Sequence, residues 1–168
     1  SPIRNNESNT FHGGGVRVHN RVNATFDNSP ITGNSTVQRG GGIAVSTYAT
    51  VRLIDSPVDS NDAGTSGGGV AVWDYSNLRL TNCSVDSNSA VEDGGGVYVE
   101  LATFNMLNCT ITRNIATNGA ALRANNTQNV GLINITVADN VASGIGGGIR
   151  AFSSTIELMN GIFWNNSP

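Results

Sequence analysis

The residues best suited to chemistry in this 168-residue chain are its carboxylates, and two of them fall on a pattern. Asp59 and Asp86 occupy the same place in two copies of Val-Asp-Ser-Asn, 27 residues apart. Paired carboxylates can act as acid and base on a glycosidic bond when a water fits between them, and they can hold Ca²⁺ through oxygen. Such chemistry also calls for a convergent Arg, Lys or His. The chain has no Lys, and His12 and His19 flank the first Gly triplet without matching partners. These residues therefore read as solvated turns and surface histidines. The expectation is a protein that is not an enzyme, with no catalytic residue, no metal and no cofactor.

The next candidates are sulfur and amide groups. Cys83 and Cys109 sit five residues before Asn88 and Asn114, in the same slot of successive repeats. That places their Cα atoms about one strand spacing apart, within reach of a disulfide although not at ideal Cβ geometry. A disulfide and a stacked pair of buried thiols both fit. Eight Asn-x-Ser/Thr sequons are present, at Asn6, Asn23, Asn34, Asn82, Asn108, Asn125, Asn134 and Asn165. Several fall in ladder slots whose side chains are expected to point inward. Asn23 and Asn125 are placed in an exposed corner and are the best glycan acceptors. Tyr48, Trp73, Tyr75, Tyr98 and Phe152 cluster near the turn after the first strand of each repeat. Rings exposed there would stack on sugars or on a neighbouring molecule.

All of these positions are set by an internal repeat. Gly-Gly-Gly followed by Val or Ile recurs from Gly13, Gly40, Gly67, Gly94 and Gly146, and Gly119-Ala120-Ala121-Leu122 is a degenerate copy. An Asn closes each repeat, at Asn34, Asn61, Asn88, Asn114, Asn140 and Asn166. Three residues earlier stand Ile31, Val58, Val85, Ile111, Val137 and Phe163. Apolar pairs two residues apart, such as Val51/Leu53 and Val70/Val72, have strand periodicity. No helical period separates them, and 23 Asn with 21 Gly disfavour helices. The economical fold is an all-β, right-handed, single-stranded parallel β-helix of about six coils, each with three short strands. The Asn column is predicted to form a structural ladder along the stack.

Composition narrows the partners. The net charge is −3 and the nine Arg are scattered, which argues against nucleic acid. No apolar run approaches the length of a membrane-spanning helix, so no membrane insertion is expected. The segment Ser1-Pro2-Ile3-Arg4-Asn5-Asn6 matches Ser29-Pro30-Ile31-Thr32-Gly33-Asn34, and the last residues stop at the same phase. Residues 1–168 thus read as one uncapped repeat domain, a segment of a longer solenoid or a filament subunit whose partners are other coils or copies stacked end to end.

Gly-Gly-Gly-Val/Ile alternating with Phe163-Trp164-Asn165-Asn166, and with softer versions such as Val85-Asp86-Ser87-Asn88, resembles the repeats of chlamydial-type polymorphic outer-membrane proteins. The resemblance covers essentially the whole chain and is specific for a β-helix repeat. It implies an extracellular or cell-surface passenger with adhesive or structural duties toward surface glycans or proteins. The rival expectations are a carbohydrate-active β-helix enzyme and a glycan-binding module.

Overall fold

A computed structural model describes residues 1–168. The chain winds as a solenoid of stacked parallel strands with no helix. The strand after each Gly triplet belongs to one six-stranded sheet: Val16–Val18, Ile43–Val45, Val70–Val72, Val97–Glu100, Leu122–Asn125 and Ile149–Phe152. A ten-stranded sheet begins with Asn23–Asp27, Thr50–Ile54 and Asn77–Thr81, and takes in the long strands Thr103–Thr112, Asn129–Ala138 and Ile156–Trp164. A second six-stranded sheet is built from short segments such as Ser35–Thr36, Asp62–Ala63 and Ser89–Ala90.

The predicted repeat, strand direction and register are as the sequence implied, with one difference. The segment around each closing Asn forms two strands rather than one: Ile31–Thr32 precedes Asn34 and Ser35–Thr36 follows it. The cause is local. The residue before each closing Asn has a left-handed backbone, as at Gly33 (φ 64°), Ser60 (φ 56°) and Ser87 (φ 54°), which turns the chain between the two sheets.

Inward side chains stack in columns. Leu53, Leu80, Met106 and Leu132 form one, and Ile31, Val58, Val85, Ile111 and Val137 another, all essentially inaccessible. Burying a side chain of this size stabilises by roughly 1.5–3 kcal/mol, and 28 residues share the main core. The Gly triplets leave room for that stack. A Cβ on Gly69 would lie 2.8 Å from the Gly96 carbonyl oxygen and 3.0 Å from the Asn88 side chain. In the degenerate copy, spaced 25 residues from the previous triplet, the register shifts between Ala116 and Asn118. There the methyl of Ala120 joins Ala63, Ala90, Ala116 and Ala142 in a small cluster.

Candidate functional site

The closing asparagines make a continuous inner ladder. Asn61 donates from its backbone N–H (2.9 Å) and from Nδ2 (3.0 Å) to Oδ1 of Asn88, and Nδ2 also donates to the carbonyl of Ile31 in the preceding coil (2.9 Å). Asn34, Asn88, Asn114 and Asn140 repeat the pattern toward the next coil. The ladder has a direction. Each Asn donates toward the C-terminal end and accepts from the N-terminal side. Asn166 accepts from Asn140 and donates Nδ2 to Val137. Asn6 likewise donates to Asn34 from its backbone N–H and from Nδ2.

The C-terminal coil also presents apolar side chains outside the core. Leu158 and Phe163, whose in-register neighbours Leu132 and Val137 are 0% exposed, are 46% and 43% exposed. Met159, Ile162 and Trp164 beside them are more exposed still.

Asp59 and Asp86 are in-register neighbours, as their spacing implied. The missing third group is present after all. Arg113 Nη2 donates to Asp86 Oδ2 at 2.5 Å, and Thr112 Oγ1 donates to Asp86 Oδ1 at 2.6 Å. Asp59 accepts from Ser84 Oγ at 3.0 Å. Burial raises the Asp59 carboxyl above its ordinary value, more than the Ser84 hydrogen bond lowers it, and the neighbouring Asp86 adds to the rise. The carboxylates are thus held by short polar side chains and one ion pair. Arg113 stands in the slot that Ser60 and Ser87 fill in their coils and reaches Asp86 only across a coil, which the spacing of the motif does not reveal. No group of three or more His, Cys, Asp or Glu converges as a metal-ligand set.

Cys83 and Cys109 are free, buried thiols. The Cys83 backbone N–H donates to Cys109 Sγ at 3.3 Å, and the two Sγ–H groups point at the carbonyls of Thr81 and Leu107, each 3.2 Å away. Ser56, one coil earlier, does the same work with a hydroxyl, accepting from Ser29 N–H and donating to Ile54. The contact with Cys109 holds the Cys83 thiol below the usual range, and the same contact together with burial pushes Cys109 up.

Several expectations about the outer surface are corrected. His12 is not a free surface group. It packs edge-on against Trp73 (centroids 4.9 Å apart), and Nδ1 accepts from Arg39 N–H. Burial lowers its pKa, with Arg17 and Arg39 adding to the effect. Trp73 and Tyr98 are buried rather than exposed, because Arg39 lies over both rings and reaches Glu100 at 2.9 Å. Burial pushes the Tyr98 hydroxyl up to about 12. Tyr48 and Tyr75 are the exposed pair, stacked 5.5 Å apart with Arg21 over Tyr48. Both have left-handed backbones (φ 61° and 58°), a conformation unfavourable for bulky residues.

The sequons sort differently as well. Asn23 is exposed, as expected, but Asn125 is half-buried and donates to Glu100 Oε1 at 3.1 Å. Asn82, Asn108 and Asn134, expected inward, are exposed at a left-handed outer corner and bond to one another from coil to coil. Asn34 is buried in the inner ladder.

The family model described as "Right handed beta helix region" matches residues 2–167, and the chain belongs to that family. No curated protein and no solved structure was found to match it.

Proposed function

We propose that this right-handed β-helix is a non-enzymatic structural element of the cell surface or extracellular space, and that copies of it stack head to tail. The observation that carries the reading is the inner ladder itself, which runs in one direction through every coil from Asn34 to Asn140, so that one coil can follow another without a change of pattern. A copy added to the stack would extend the Asn column and pack on the inward columns of Leu158 and Phe163, as each coil meets the next along the rod. Contacts of this head-to-tail kind do not close on themselves and give filaments. The resemblance to polymorphic outer-membrane protein repeats supports a surface location and an adhesive or structural role.

Sedimentation of the chain from about 1 to about 200 μM tests the proposal, since assembly follows mass action. Growing species are expected. Phe163→Asp and Asn166→Ala should each leave monomers whose far-ultraviolet dichroism matches the parent. A parent that stays monomeric at the highest concentration would overturn stacking between copies. A second reading, a glycan-binding face, is supported by the exposed Tyr48/Tyr75 stack. Glycan-array binding that disappears in Tyr75→Ala would establish it.

A further inference from the structure

The chain stacks arginines in register twice. Arg123 and Arg150 are neighbours in one sheet, where Asp93 lies 3.9 Å from Arg123 Nε and the Phe152 ring lies over the guanidinium. Arg52 and Arg79 are neighbours in the ten-stranded sheet, and neither forms an ion pair. Both are exposed. In-register residues of adjacent strands stand about 4.8 Å apart, and like charges so placed repel. The pair therefore costs the fold stability unless something anionic lies between or above it.

The surroundings supply donors rather than carboxylates. Thr25 is the in-register neighbour on one side and Asn105 on the other. Thr50 and Asn77, two residues earlier on the same strands, are also in register. Arg52 sits where two shallow depressions meet, one running over Asn23 and Thr25, the other over Asn77, Arg79 and Asn105. The carboxylates that share this side form no ion pair with Arg52 or Arg79. Asp27 is diagonal to Arg52, about 8 Å away by strand geometry, Asp55 lies at the corner three residues on, and Glu157 is three coils from Arg79.

We infer that Arg52 and Arg79 form a two-arginine clamp for a tetrahedral oxyanion, sulfate or phosphate, free or as an ester, with Asn77, Asn105 and the threonine hydroxyls as neutral donors. Guanidinium forks bind such oxygens through charge-assisted hydrogen bonds and stay charged at all relevant pH. The ligand's own titration then separates its two sources. Phosphate binding should tighten as pH rises through the second ionisation of phosphate, whereas sulfate, already doubly ionised, should bind unchanged.

The test is calorimetric titration of the full chain with sodium sulfate and with inorganic phosphate, at ionic strength held constant with sodium chloride. Saturable binding is expected for the parent. Arg52→Gln and Arg79→Gln should each weaken it by about fivefold or more, and the double variant should lose it, as expected for loss of a charge-assisted contact. Arg150→Gln should leave it unchanged. Because the pair repels itself, the double variant should melt no lower than the parent without anion, so lost binding cannot be ascribed to unfolding. Saturable binding that survives in the double variant, or parent binding no stronger than that of chloride, would overturn the clamp.

Discussion

Two columns of asparagine run along this rod. The inner one, Asn34 to Asn166, faces the core, and the outer one, Asn82, Asn108, Asn134 and Asn160, stands at an exposed corner. Both link coils through hydrogen bonds between side-chain amides, of similar length, 3.0 Å from Asn61 to Asn88 and 3.0 Å from Asn134 to Asn108. They run in opposite directions, the inner Nδ2 donating toward the next coil and the outer toward the previous one. What separates them is water. An inner Asn that loses its side chain strands buried donors and carbonyls, while an outer one exchanges its partners for solvent. Outer positions keep Asn for a second reason, the left-handed backbone (φ 53° to 54° at Asn82, Asn108, Asn134 and Asn160) that Asn tolerates better than most residues.

The largest expected contrast is all-or-none. Expressed in a glycosylating host, the folded chain should carry no glycan on the sequon of Asn34, whose amide is enclosed. Occupied sites should be found by peptide mapping at Asn23 or in the outer column. A glycan on Asn34 would break the distinction between the columns.

Stability gives the next contrast. Asn88→Ala removes the acceptor for Asn61 N–H and Nδ2 and the donor to Val58. It should cost roughly 2–6 kcal/mol in denaturant unfolding, at about 1–3 kcal/mol for each of the two groups left stranded, the Asn61 N–H and the Val58 carbonyl, since Asn61 Nδ2 keeps the Ile31 carbonyl. Asn108→Ala should cost only about 1 kcal/mol, from a solvated hydrogen bond and the left-handed backbone, and Asn108→Gly less still. Equal losses at Asn88 and Asn108 would mean that burial does not set the difference.

The smallest effect is a pH slope. Asp59 lies on the strand leading to Asn61, and its carboxyl is raised by burial. The folded protein therefore holds this proton more tightly than the unfolded chain. The resulting stability is full below the unfolded carboxyl value and is lost as pH rises through the folded one. Asp59→Asn should flatten that part of the stability–pH profile while leaving the inner ladder intact. A profile unchanged by the substitution would remove Asp59 as its source.

The solenoid was legible because its signals are repeated and local. The spacing of Gly triplets, closing asparagines and apolar pairs fixed coil length, strand direction and register, and it put Asp59 with Asp86 and Cys83 with Cys109. Contacts between chemically unlike columns were not legible. Nothing in the spacing says that Arg39 would lie over Trp73 and Tyr98 to reach Glu100, or that Arg113 would meet Asp86. The inner and outer asparagines also look alike in sequence, since both recur once per coil.

The sequence by itself determined the repeat, the stack and the columns, because a periodic apolar pattern has few ways to bury itself and Gly and Asn mark the corners. Tertiary structure alone decided that the two Asn columns face opposite ways, one to the core and one to water. That choice depends on the bend at left-handed residues such as Ser60 and Ser87, which swings Asn61 and Asn88 inward. The same kind of backbone at Asn82 and Asn108 leaves those side chains in water. The direction of the inner ladder is likewise a property of the folded coil. It follows from side-chain amides aligned along one axis, and a list of residue types carries no such axis.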